Sequence, residues 1–229
     1  MPVTPDVGQP GWSLLSTGGG VPLARFRPRD DDGQPVAAEL RPLPGADPAD
    51  VAAQARHDLA DVPEAPAPAA GWSLTPAVWD DDLGGALAAA YGPGHPDGGW
   101  TPDDTRQVRA MFDSADPVPP LLSASAVLTG DDGRSAGHVL CAGPVPWVED
   151  GGGWILNIAV APWAQGRGLG WALLTHALRG AREAGLPTLG LSVADGNPAR
   201  RLYDRAGFRP YARVLSVLLP PHAEPPPAG

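Results

Sequence analysis

The stretch NIAVAPWAQGRGLGWALL, residues 157–174, carries an apolar strand through a glycine-rich turn into a helix. WILNIAV at 154–160 is a run of strand length, apolar but for Asn157, that follows three glycines. From about Gly168 to Ala184, Leu169, Leu173, Ala177 and Leu178 recur on one helical face, and Gly185 can end the helix. The turn between them, QGRGLG, stands where a helix N-terminus leaves backbone N–H groups without partners and adds the positive end of its dipole. Gly166, Gly168 and Gly170 carry no side chains to hold a ligand away from that backbone, so a diphosphate can lie across it. The alternative reading is a tight strand-to-helix connection that binds nothing.

Working outward, TLGLSV (188–193) reads as the next strand, and NPARRLYDRAGF as a helix with Asn197 as N-cap, Pro198 at its first position and Gly207 as its stop. RPYARVLSVLL is a last strand. Upstream, two strand-like runs in residues 121–143 flank TGDDGR, a hairpin signature. TPAVWDDDLGGALAAAYG and TPDDTRQVRAMFDSA each place Thr-Pro where a helix opens, which predicts two helices. EAPAPAAG (64–71) is a Pro/Ala linker. DPADVAAQARHDLADV (47–62) predicts a helix, with Asp47 as cap, Pro48 in the first turn, and Val51, Ala55, Leu59 and Val62 on one face. VAAELRPLP (36–44) and PLARFRP (22–28) read as strands. Strands alternating with helices specify an α/β fold with a sheet of mixed direction. The expected organisation is an N-terminal extension over 1–35, one domain over 36–219 and a disordered proline-rich tail over 220–229.

The 229 residues are 43% hydrophobic, enough for a sizeable core. A net charge of -10 disfavours nucleic acid and anionic membrane and favours cationic ligands. All sixteen basic residues are arginine, so the chain holds no side-chain amine of its own. One cysteine, Cys141, makes no internal disulfide, and MPVTPDVGQPGW resembles no signal peptide. No run approaches the roughly 18 apolar residues of a membrane span. The expectation is a cytoplasmic protein. His57, His95, His138, His176 and His222 show no metal-ligand spacing, so no metal is expected.

Other glycine-turn chemistries fit poorly. A Walker-type loop needs a lysine, which the chain lacks, and a dinucleotide fold needs an acid at the end of the next strand, which TLGLSV does not provide. Gln165, Gly168 and Gly170 instead match the pyrophosphate loop of the GNAT N-acetyltransferases: Arg or Gln, two residues, Gly, one residue, then Gly or Ala. Asn197, Tyr203, Gly207 and Phe208 match that family's second signature, in the expected order. The chain resembles this family specifically from Trp154 to Tyr211 and more loosely back to Val36, with phrases similar to the ribosomal-protein and small-molecule branches.

The resemblance implies a mostly antiparallel central sheet with helices on both faces, splayed where acetyl-CoA binds, and transfer of an acetyl group to a primary amine of a small molecule or peptide N-terminus. It implies that backbone groups of Ile158, Ala159 and Val160 meet the pantetheine arm and polarise the thioester. Gln165, Gly166, Arg167, Gly168, Leu169, Gly170 and Trp171 would hold the diphosphate, with a solvated Arg167 as the alternative. Asn197 would serve the pantetheine arm or simply cap its helix. Tyr203 stands at the family's general-acid position, and a tyrosine of pKa about 10 can protonate a thiolate of about 8.5. The ribosomal branch places a glutamate base where this chain has Ser192. Glu149, Asp150 and His138 are the nearest substitutes by topology; Cys141 is an acyl acceptor or a core residue. Trp72, Trp79, Trp100 and Trp147 fall in segments that line the acceptor side, as pocket or as core. A homodimer is compatible with the family. The competing reading is a degenerate domain that binds acyl-CoA without catalysis.

Overall fold

A chain with few charges in its central runs buries them, and Ser135–Ala142, the run before the quoted motif, is covered along its whole length. The structure, a computed structural model, describes residues 12–16, 22–26, 50–64, 66–92, 95–97, 100–114, 120–145, 148, 150–194 and 196–218. In chain order the elements are β1 (Trp12–Ser16), β2 (Pro22–Phe26), β3 (Asp50–His57), β4 (Trp72–Pro76), α1 (Asp81–Ala90), α2 (Pro102–Ser114), β5 (Ala126–Gly130), β6 (Ser135–Ala142), β7 (Gly153–Val160), α3 (Leu169–Glu183), β8 (Leu189–Ala194), α4 (Arg200–Ala206) and β9 (Arg209–Leu218). They divide into two compact units.

One unit comprises Met1–Ala55, Ser192–Gly196 and Pro210–Gly229. In it β1 pairs antiparallel with β2, Trp12 opposite Phe26, and β2 pairs antiparallel with β9, Leu23 opposite Leu218. The Tyr211 hydroxyl donates to Gln54 Oε1 at 3.1 Å. The expected strand at 36–44 and the expected tail at 220–229 lie outside the described residues.

The other unit, Arg56–Leu191 with Asn197–Arg209, carries the motifs. β4, β5, β6 and β7 pair antiparallel in that order, and β7 pairs parallel with β8. All eight residues of β6 are buried, so both faces of this strand are covered. Val127 joins Leu83, Leu87 and Val108 of the two early helices in one cluster, with Trp79, Trp100, Phe112 and Ala159 packed on it. Nine residues of α3, among them Leu169, Leu173, Ala177 and Leu178, are buried against β5, β6 and β7. Gly180 brings α3 against the carbonyl of Ser123, a contact any Cβ would obstruct.

Two local expectations fail. Residues 50–57 form a strand rather than a helix. Val51, Ala55 and Leu59 are four apart, a spacing that satisfies a helical period and a strand period alike. Within the strand Ala53, Gln54, Ala55 and His57 are covered and Arg56 is exposed, so successive residues are buried rather than one helical stripe. Packing has overridden the helix propensity of the alanines. Thr75 and Pro76, expected to open a helix, end β4 instead. That helix begins five residues later, where Asp80 caps it by accepting the Leu83 N–H at 2.7 Å and Asp81 and Asp82 face its dipole. The second Thr-Pro behaves as expected: Thr101 and Asp104 form a reciprocal cap, with Asp104 Oδ2 accepting the Thr101 N–H at 2.7 Å.

Candidate functional site

The site is built where β7 leaves its neighbour. The parallel register with β8 is made by Gly153 with Leu189 and Trp154 with Gly190; among the described residues no later pair follows. From Ile155 on, β7 keeps its ladder with β6, where Val139, His138 and Gly137 oppose Ile158, Ala159 and Val160. The three β7 residues are half-buried, and their other backbone edge meets no strand among the described residues.

The turn that follows is tied to the strand it leaves. Gln165 Nε2 donates to the Val160 carbonyl at 2.8 Å, tying the turn back to the strand end. Gly166 and Gly168 take φ of 76° and 75°, in the left-handed region that glycine occupies without penalty. Gly168 is the N-cap of α3 and brings no side-chain capping bond. Among the described residues no acceptor takes the backbone N–H groups of 166–171. A Cβ at Gly166 or Gly168 would meet nothing within 4 Å, and residues 166–168 are exposed, while Leu169 is buried. That combination suits an anion.

The other turn residues divide the work differently from the sequence reading. Leu169 points its side chain into the core and Gly170 packs against Leu202, its Cβ position lying 3.5 Å from that side chain. Each can offer only a backbone N–H. Trp171 lies under the Arg205 guanidinium, 4.3 Å from its ring centre, and Arg167 is exposed.

Asn197 precedes α4 rather than capping its first turn directly: its Oδ1 accepts the Ala199 N–H at 2.8 Å. Its Nδ2 donates to Asp97 Oδ2 at 2.5 Å, across a hundred residues of chain. Tyr203, one turn into α4, is 7% exposed and stands edge-on to Phe208 with ring centres 6.0 Å apart. Burial pushes its hydroxyl well above the ordinary tyrosine range, and the neighbouring Tyr91 and Asp97 push the same way. No hydrogen bond reaches that hydroxyl from another described residue.

Tyr91, Asp97 and Asn157 belong to the same cluster and went unread in the sequence. The Tyr91 hydroxyl donates to Asn157 Oδ1 at 3.4 Å, and burial, then Asp97, pushes it up to about 12. Its ring packs on Trp100 at 5.3 Å and His95 at 4.6 Å. Asn157 opens the quoted motif, so a polar residue inside an apolar strand was the available signal. Tyr91 follows an alanine-rich helix and offers none.

The substitutes for a base are placed as follows. Ser192 is exposed on β8. Asp150 is committed to structure: it pairs with Arg56 at 3.1 Å and accepts from Thr188 Oγ1 at 3.0 Å and the Gly152 N–H at 3.0 Å. Glu149, Trp147 and His222 lie outside the described residues. Cys141 is fully buried with its thiol pushed up by burial, a core residue rather than an acyl carrier. Trp79 and Trp100 pack on the core cluster, while Trp72 meets Trp163 at 5.8 Å. Among the described residues no three His, Cys, Asp or Glu side chains could hold a metal.

His138 is 0% exposed, has neither ring nitrogen bonded and is pushed down to about 3 by burial. It is a neutral core histidine, not a base open to substrate. The unfolded chain binds its proton near pH 6.5 and the folded chain only near 3, so stability should fall as pH drops through that window. His57 and His176 are lowered too and add to the slope. His138→Leu should flatten it, measured by urea midpoints from pH 7 to 4; an unchanged slope would mean the ring is not buried neutral.

With this geometry in hand, comparison with known proteins is specific. Residues 91–208 match the family model described as Acetyltransferase (GNAT) family. A mycothiol acetyltransferase of Thermomonospora curvata is 37% identical over 134 residues, 56% of this chain and 40% of that protein. One of Pseudarthrobacter chlorophenolicus is 35% identical over 153 residues, 65% of this chain and 46% of that protein. The chain thus spans less than half the length of these relatives. A [ribosomal protein bS18]-alanine N-acetyltransferase of Haemophilus influenzae is 43% identical over 54 residues, 24% of this chain and 37% of that protein. Among solved structures, a GCN5-related N-acetyltransferase from Sphaerobacter thermophilus has a TM-score of 0.55 at 23% identity, covering 76% of this chain and 52% of its own, a likeness of fold.

Proposed function

Because the chain belongs to the GNAT acetyltransferase family, we propose that it transfers an acetyl group from acetyl-CoA to a primary amine by direct attack. The observation that carries this reading is the run of backbone N–H groups at 166–171 without acceptors among the described residues, exposed at 166–168, beside the edge of β7 that no described strand pairs. Acetyl-CoA supplies the activated thioester; its diphosphate fits that row in charge and its extended arm fits an unpaired strand edge. In this reading Ile158, Ala159 and Val160 hold the arm through their backbone, Gln165 to Trp171 the diphosphate, and Asn197 the loop beside it. Tyr203 holds the proton that the leaving thiolate needs, and its raised pKa keeps that proton in place at neutral pH. The site lies in the cytoplasm on this reading; among the described residues no helix is long and apolar enough to cross a membrane.

One observation favours the second reading, a cradle without catalysis: Ser192 is no base, and Asp150 and His138 are engaged or buried. The deciding experiment is an acceptor screen with acetyl-CoA, read by mass spectrometry of acetylated product. The panel includes mycothiol-related amines and alanine-starting peptides, after the names of the relatives. Turnover of any member supports the transferase; acetyl-CoA binding with no product across the panel supports the binding module.

A further inference from the structure

Helix α4 is seated on the first turn of α3, beside the glycine turn. Leu202 covers Gly170, its Cδ2 lying 3.5 Å from the Cβ position there. Three residues on and on the same helical face, Arg205 carries its guanidinium carbon over the Trp171 ring, 4.3 Å from the centre. Trp171 lies three residues beyond Gly168, about 4.5 Å along the α3 axis. The ring contact engages the guanidinium without using its five N–H donors. Arg205 is exposed, and among the described residues no acceptor takes those donors. Asp58 and Asp61, which line a cleft of about 530 Å³ together with Arg205, form no ion pair with it. The backbone of α3 closes just where Arg205 stands: the Ala172 N–H is already given to the Gly168 carbonyl at 3.1 Å. An anion beyond the turn therefore needs a side chain to hold it. Acetyl-CoA has such an anion, a phosphomonoester on the 3′ oxygen of its ribose, close to dianionic at neutral pH. Only C5′, C4′ and C3′ of the ribose separate its oxygen from that of the diphosphate. The chain's net charge of -10 repels a ligand of this kind, so its affinity has to come from local donors.

We infer that Arg205, held on Trp171, pairs with the ribose 3′-phosphate of acetyl-CoA, so that the chain distinguishes CoA thioesters from their dephospho forms. The inference rests on the acetyl-CoA reading above and concerns the end of that molecule remote from the thioester. Arg205 is a binding residue here and takes no part in the transfer. Its fork of N–H groups can meet two phosphate oxygens at once. The Trp171 ring holds the guanidinium before the ligand arrives, so less side-chain freedom is lost on binding. The competing role is a brace: Arg205 stands in the last turn of α4, and its contact with Trp171 also ties α4 to α3. A brace would support every ligand of the turn alike, whereas a phosphate partner supports only the ligand that carries the phosphate.

Calorimetric affinities for CoA and dephospho-CoA, measured in wild type and in Arg205→Gln, form a closed cycle that isolates this contact. Wild type should bind CoA about tenfold or more tighter than dephospho-CoA. Arg205→Gln should weaken CoA by that factor and leave dephospho-CoA unchanged, so that the preference disappears. Arg179→Gln removes the same charge from the exposed side of α3, eight residues and about 12 Å further along, and should keep the preference. Equal loss of both ligands in Arg205→Gln overturns the inference and leaves the brace. A preference that survives Arg205→Gln but not Arg167→Gln overturns it in favour of the turn, and one lost in Arg179→Gln as well overturns it in favour of the general field. Should Arg205→Gln not fold, Arg205→Lys takes its place, keeping charge and stem without the fork: weakening of CoA alone supports the contact, and equal change or none overturns it. Wild type binding both ligands alike sinks this assignment only, whereas wild type binding neither sinks the acetyl-CoA reading and the assignment with it.

Discussion

Tyr203→Phe should lower kcat by about 10²-fold or more while acetyl-CoA affinity and folding stability hold. The ring stays edge-on to Phe208, and no hydrogen bond from another described residue is lost with the hydroxyl, so the variant removes a proton and little else. The raised pKa gives this prediction a second edge. A group held protonated well above the ordinary tyrosine range cannot produce a falling limb in the usual alkaline window, so the wild-type rate should rise with pH as the amine loses its proton and show no decline from Tyr203 below pH 10. Measuring kcat for both proteins from pH 6 to 10 with one competent amine checks both statements. Equal rates would assign the proton to water or to Tyr91, whose hydroxyl is given to Asn157 and pushed up to about 12.

Gly168→Glu should reduce acetyl-CoA binding by 10²-fold or more, to the edge of calorimetric detection. Nothing lies within 4 Å of the Cβ position, so the side chain itself is accommodated, and the φ of 75° costs the folded chain about 1–2 kcal/mol. The loss comes from charge: a carboxylate about 4 Å from a phosphate at an effective dielectric of about 20 is repelled by about 4 kcal/mol, roughly 10³-fold. Gly168→Ala carries the backbone strain without the charge and should retain most of the affinity. Unchanged binding in a folded Glu variant would remove the glycine turn from the account of the site.

Residues 153–208 were legible because their signals are local. A glycine that must adopt positive φ, an apolar strand and a helix of one-sided period each leave a mark within a few residues, and the turn, α3 and α4 stand within two residues of where the sequence puts them. Residues 50–57 were misread for the opposite reason. A four-residue spacing is common to both periods, and only the neighbours that bury Ala55, His57 and Leu59 select the strand. Thr75-Pro76 has the chemistry of a helix start, but pairing of β4 with β5 claims it, and Asp80 supplies the stronger cap.

The sequence alone determined the α/β class, the glycine turn and the tyrosine that follows it, since each depends on backbone preferences and short-range order. Only the tertiary structure decided what surrounds them. It left residues 166–168 exposed, turned Leu169 and Gly170 inward, buried His138 and Cys141 out of reach, and tied Asp150 to Arg56. It also joined Asp97 to Asn197 across a hundred residues, beside Tyr91 and Tyr203. Such contacts arise when segments far apart in the chain pack together, and no spacing along the chain encodes them.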